Sequence, residues 1–283
     1  MLRFTALLFL GATLSLGAQD VRTTGSPLQA ATRLDLQLRT ADARALIQSV
    51  IDTSSLPAAK AVAQRAMAMS WAFDGNCANT TKYEMVVIDY WKTREAIEPQ
   101  NAFYQEGEMA NEAARVCIDA GSFAEAERLY RLGSELGTKE PMPATHSRAL
   151  WDFRLTHALA RLAARRGDKT EAQKQVARAR QILDGADSTM RAQQERFLPY
   201  LAGYVALYTN DFVTAEHELT RAVEMPGNTT DPFMRYLIGL TYEKTGRATD
   251  AQMAYDKAFS LANAHTPPSA FVHHTLGSRA IGP

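Results

Sequence analysis

Arg154, His157, Arg161 and Arg165 follow one another at spacings of 3, 4 and 4 residues, so a helix presents all four on one face. Phe197, Tyr200, Tyr204 and Tyr208 repeat the same spacing further along the chain. The chemistry open to such a pair of stripes is recognition. A guanidinium holds a carboxylate through two hydrogen bonds, and a tyrosine offers flat apolar area with a polar tip. Arg and Tyr are also over-represented among residues that dominate binding interfaces. Two plainer readings stand beside this one. Aromatic residues at helical spacing pack helices together, and arginines cover solvated faces.

Signals for turnover are missing from the chain. It has no His-Glu-x-x-His, no paired-Cys motif, no Gly-rich phosphate loop and no Gly-x-Ser-x-Gly elbow. The six histidines (146, 157, 217, 265, 273 and 274) are scattered, and the adjacent pair His273-His274 points in two directions on a helix. No enzyme, no metal site and no cofactor are expected. With 31 basic and 31 acidic residues the formal net charge is zero. That balance argues against nucleic acid, whose phosphates demand basic surface.

The elements that must position the stripes announce themselves by a repeated pattern of small residues. Gly121, Ala126, Tyr130 and Gly133 lie at offsets 0, +5, +9 and +12. The same offsets select Gly167, Ala172, Val176 and Ala179, then Asn210, Ala215, Leu219 and Ala222, then Gly246, Ala251, Tyr255 and Ala258. Seven residues before each start lies Ala114, Ala160, Gly203 or Gly239. Gly or Asn tolerates the left-handed conformation that ends many helices, and the small residue at +5 fits where two helices approach. The pattern predicts a helix–turn–helix hairpin used repeatedly, with helices over 101–120, 122–135, 144–166, 168–184, 188–210, 211–225, 231–246 and 247–262. Pro199 falls inside 188–210 and either kinks that helix or starts a second one. Upstream, helices are predicted over 41–53, 57–74 and 82–97.

The pattern resembles the tetratricopeptide repeat, most clearly in Leu237-Ile238-Gly239-Leu240-Thr241-Tyr242 followed by Gly246, Ala251, Tyr255 and Ala258. The +5 alanines are 46, 43 and 36 residues apart, longer than the family period of about 34, and the family's early Trp is missing. The resemblance implies an all-α, right-handed superhelical solenoid of antiparallel hairpins, whose concave face is lined by the first helix of each pair. Carried over residue by residue, the groove positions are Glu108, Asn111, Arg115, Ile118 and Asp119; Arg154, His157, Arg161, Ala164 and Arg165; Phe197, Tyr200, Tyr204, Leu207 and Tyr208; and Phe233, Tyr236, Leu240, Glu243 and Lys244. The binding candidates among them are the basic stripe, the aromatic stripe and Tyr236. The family's Lys and Asn clamp for carboxylates is not reproduced.

Domain organisation follows. Residues 1–18, a basic start and an apolar run ending in small residues, read as a secretory signal peptide. Residues 19–27 read as a disordered leader, 28–100 as a helical cap or degenerate repeats, 101–266 as the clear repeats, and 267–283 as a short capping segment with a helix over 269–277. Cys77 and Cys117 are the two thiols. In a solenoid both fall at the same end of neighbouring first helices, which suits a disulfide. The other reading is a buried apolar Cys117 beside a loose Cys77. Together these features predict a secreted or periplasmic protein-binding scaffold or assembly adaptor, with a peptide- or glycan-binding module of an envelope uptake or degradation system as the alternative. The expected partner is a protein or peptide, not nucleic acid, and no membrane span is expected after signal cleavage.

Overall fold

The computed structural model describes residues 25–280. The expected signal peptide and most of the expected leader lie outside them. Among the described residues there are fourteen α-helices and no strand. They are α1 (Pro27–Leu36), α2 (Thr40–Thr53), α3 (Pro57–Phe73), α4 (Cys77–Lys92), α5 (Pro99–Asp119), α6 (Phe123–Gly137), α7 (Arg148–Arg165), α8 (Lys169–Asp184), α9 (Ser188–Gln194), α10 (Phe197–Tyr208), α11 (Phe212–Glu224), α12 (Pro232–Lys244), α13 (Ala248–Leu261) and α14 (Pro267–Ala280). Consecutive helices pack on one another along the chain.

Six hairpins share one turn. Leu38, Gly75, Gly121, Gly167, Asn210 and Gly246 have φ between 61° and 80°. The N–H of the next residue then reaches back five positions in each: Arg39 to Leu34, Asn76 to Trp71, Ser122 to Cys117, Asp168 to Ala163, Asp211 to Ala206 and Arg247 to Tyr242, all within 3.0 Å. This is the Schellman closure, which satisfies carbonyls that a helix end leaves open. At +5 in each hairpin lies Ala43, Thr80, Ala126, Ala172, Ala215 or Ala251, all buried. The small residue at −7 lies where the backbones meet. A Cβ on Gly203 would approach Leu219 Cγ to 2.7 Å, and one on Gly239 would approach Tyr255 Cε1 to 2.5 Å.

Two sequence expectations are corrected, and one open choice, at Pro199, is decided for a second helix. Ser26 and Pro27 belong to the start of α1, because the Ser26 hydroxyl accepts from Gln29 N–H and closes a capping box. The helix expected over 82–97 starts earlier, at Cys77, where the Asn76 side chain caps it, and it ends at Lys92. The stretch 188–210 is two helices. Asp187 caps α9, and Pro199 falls in the first turn of α10, where its missing N–H costs little.

The last helix decides the form of the interior. α14 is longer than the predicted 269–277, and it packs on α12 and α13 and also on α3 and α5. Its Phe271 and Leu276 share a core with Phe73, Val116, Tyr204, Leu219 and Leu237. Just before it, His265 Nε2 lies 2.8 Å from Asp35 Oδ2 and its ring stacks on Phe73 at 5.5 Å. Asp35 is fully buried and also accepts from Ser70 Oγ at 2.8 Å. The first and last helices are thus tied together. Cys77 and Cys117 form a disulfide joining the start of α4 to the end of α5, which settles the choice between the two readings of these thiols. No described helix is long and apolar enough to cross a membrane.

Candidate functional site

The basic and aromatic stripes face each other, because α7 packs against α10. His157 stacks on Tyr200 with ring centroids 5.5 Å apart. Arg161 lies over Tyr204 at 5.8 Å, and Arg165 lies over Tyr208 at 4.8 Å while donating to the Tyr204 hydroxyl at 3.3 Å. The stripes divide into two parts with different surroundings.

The upper part opens on a cavity of about 310 Å³ walled by α5, α7, α10, α12 and α14. Arg154, His157, Arg161, Phe197 and Tyr200 line it, together with Asn111, Arg115 and Phe233 from the other carried-over positions. The lower part is interior packing. Tyr204 is 1% exposed and belongs to the main core, Tyr236 is buried in the same core, and Tyr208 and Arg165 pack beside them, outside the cavity. These four groove candidates lie outside the cavity. The helix stripe continues past the cavity into the packed layer below, where burial also raises the Tyr204 hydroxyl pKa against the pull of Arg165.

Arg161 is the unusual member. Its guanidinium is 8% exposed, it donates to the Tyr130 hydroxyl at 2.8 Å, and its Nε has no hydrogen-bond partner. Among the described residues no carboxylate lies within ion-pair distance of it. A guanidinium does not lose its proton in a protein, so a buried cation persists there. Arg154 and Arg115 differ, since both pair with Glu108, at 2.8 and 3.2 Å. Burial works to raise the Glu108 carboxyl pKa, but those two arginines hold it below its ordinary value.

Two further groups on the wall carry unmet hydrogen-bonding capacity. His157 Nε2 is buried without a partner, and burial, reinforced by Arg161 and Arg115, holds the imidazole well below its usual pKa, so it is neutral at pH 7. Arg196 Nε is likewise unpartnered, with its guanidinium over the Phe197 ring at 4.7 Å. The one carboxylate lining the cavity is Asp231, which caps α12 by accepting from Met234 N–H at 2.9 Å. Burial raises its pKa, and Arg115 and Arg196 draw it back down.

Tyr130, Phe153, Arg196, Asp231, Pro268 and Phe271 were not among the sequence candidates, yet they complete the wall. Arg196 and Asp231 precede the first residues of α10 and α12, so splitting 188–210 at Pro199 would have pointed to Arg196. Pro268 and Phe271 come from α14, whose return across the molecule has no local signal. Among the described residues no group of His, Cys, Asp and Glu could hold a metal ion. In chemical terms the site is a half-open cavity with aromatic walls and surplus positive charge, an arrangement that can bind and orient an anion. No family model matches the chain, and none of the curated proteins matches it.

Proposed function

We propose that this chain is an exported binding module of the tetratricopeptide-repeat type, with a right-handed superhelix of hairpins, which captures an anionic ligand or partner segment in the Arg161 cavity. One observation carries this reading. Arg161 Nε, Arg196 Nε and His157 Nε2 are all buried without partners and all belong to residues on one cavity wall. Leaving such groups unpaired costs about 1–3 kcal/mol each, and a ligand that meets them offsets that cost on binding. The small volume of the cavity, with α14 on one side of it, favours a compact ligand over a long groove-bound chain, so the uptake or degradation role is preferred to a scaffold. Export is supported by the apolar run after Arg3 and by the Cys77–Cys117 bridge, a bond that persists in oxidising compartments.

The scaffold role is kept as a second reading by exposed apolar side chains on the second helices of two hairpins, Val213 and Met253, at 84% and 67%. The test is capture from the protein's own envelope extract, read by native mass spectrometry and crosslinking. The mature chain should begin near Ala18 or Gln19 and retain a ligand or partner that Arg161→Gln fails to retain. Equal capture by both proteins would move the site away from the cavity.

A further inference from the structure

Resting on that binding-module reading, we infer that the cavity takes a small organic acid, a carboxylate carried on a flat apolar body, with its carboxylate on Arg161 and its body between the aromatic walls. The charge count gives the anion. Four arginines line the cavity, and Glu108, which pairs with both Arg115 and Arg154, together with Asp231 offsets only two of the four charges, so positive charge is left over at Arg161 and Arg196. A carboxylate has acceptor oxygens in the plane of a guanidinium and meets Arg161 at Nε, the position left without a partner, beside the Nη2 that donates to Tyr130. Inorganic phosphate meets the charge but leaves the aromatic walls uncovered, which disfavours it.

The walls give the body. Phe153, Tyr200, Phe233 and Phe271 are all at most 8% exposed and line the same space. Phe233 and Phe271 meet edge to face at 5.1 Å, a rigid arrangement that leaves a slot rather than a sphere. Asn111, Gln194 and Asp231 add polar groups to the wall, so glucuronate, with the same carboxylate and hydroxyls in place of an apolar body, is the control that tests the body. The volume lies at the small end of the roughly 300–1,000 Å³ typical of ligand sites. Pro268 and Phe271 wall it on the side of α14. A single residue-sized acid fits these limits better than a continuous chain.

The test is calorimetric titration of the full mature protein with 3-phenylpropionate, its neutral amide, glucuronate, inorganic phosphate and the dipeptide Gly-Phe. The acid should bind, and the amide should bind about tenfold or more weaker, the scale of one lost charge-assisted contact. Arg161→Gln should erase the difference between acid and amide. Glucuronate and phosphate should be weaker than the phenyl acid. If 3-phenylpropionate is tighter than Gly-Phe, the source is a free acid. The reverse order assigns a peptide end with the same chemistry. Equal binding of acid and amide, or tighter binding of glucuronate or phosphate, overturns the proposal. Should Arg161→Gln fail to fold, the acid–amide comparison on the unaltered protein still decides. Failure of every probe, with a ligand still captured from the envelope in an Arg161-dependent way, overturns the carboxylate and leaves the binding-module reading standing.

Discussion

Two regions of this protein bury charge, and they do so with opposite sign. Between α4 and α5 the surplus is acidic. Glu84 and Glu106 are at most 1% exposed, and neither carboxyl is bonded to a cation. Between α7 and α10 the surplus is basic, centred on Arg161. The difference lies in what each group can do about its burial. Burial, with Glu95 beside it, pushes the Glu106 carboxyl up to about 7. Burial and the neighbouring Glu112 charge raise Glu84 well above its ordinary value, although Arg65 pulls the other way. Both acids therefore shed their charge by holding a proton near neutral pH. Arg161 has no such exit, because its guanidinium stays protonated. Arg161 lines the cavity, and Glu84 and Glu106 are not part of its wall. A buried carboxyl can be a self-neutralised piece of core, and a buried, unpaired arginine beside a cavity points to a ligand.

The largest expected effect breaks the acidic side. The Cys77–Cys117 bridge closes a loop across 40 residues and pins α4, which carries Glu84, to α5, which carries Glu106. On the chain-entropy account the bond contributes about 4 kcal/mol. The double variant Cys77→Ser, Cys117→Ser should lose roughly that much stability in urea titration. Affinity of the folded protein for 3-phenylpropionate should stay within about twofold, because Arg161, Tyr200 and Phe233 sit on α7, α10 and α12. A parallel collapse of binding and stability would mean that the two regions are one cooperative unit.

A smaller effect separates the regions by pH. The folded-state pKa of Glu106 lies above its unfolded value of 4.5. Between the two values the native state holds a proton that the unfolded chain has released, so this residue makes the protein less stable as pH rises from about 5 to 7. Glu106→Gln removes that dependence. The variant should match the parent at pH 5 and exceed it at pH 8 by about 1–3 kcal/mol, the scale of one buried unsatisfied group. Melting at the two pH values checks this. A variant that is less stable at pH 8 would show that the ionised carboxylate is held by Lys92 or Lys139, the cations nearest in charge.

How far this contrast could be read from sequence differs between fold and site. Hairpins at Gly121, Gly167, Asn210 and Gly246 were legible because Gly and Asn mark the left-handed turn. The hairpins at Leu38 and Gly75 have the same turn but hide it. Leu38 adopts φ 61° where a glycine would signal it, and Thr80 and Glu84 stand where the later copies have Ala and a larger apolar residue. Spacing identified Arg154, His157, Arg161, Phe197 and Tyr200, but it could not separate them from Arg165 and Tyr204 one turn further along. The separation is made by α14 and α12, which close over different turns of the same stripe. The return of α14 to α3 and α5 is a long-range contact without a local motif, so this wall of the site was not legible.

The smallest expected effect sharpens the contrast most, because its sign differs from ordinary core damage. Replacing Arg161 with Met keeps much of the side-chain length and removes the buried charge. Two terms compete. The Tyr130 hydroxyl loses its bond from Arg161, a net cost of about 1 kcal/mol. Against that, the folded protein no longer desolvates a cation that has no carboxylate near it, and His157 loses the neighbouring positive charge that burial alone must now match. Replacing buried charge by apolar side chains of similar volume is often neutral to favourable by about 1–4 kcal/mol. The balance predicts that Arg161→Met is more stable than the parent by about 1 kcal/mol and no longer discriminates 3-phenylpropionate from its amide. Arg165→Met, next along the stripe, should not gain stability, because Arg165 holds the Tyr204 hydroxyl and faces Asp119. Thermal melts of the two variants side by side make the measurement. A loss of stability at Arg161 equal to that at Arg165 would place Arg161 in ordinary packing and remove the reason for expecting a ligand beside it.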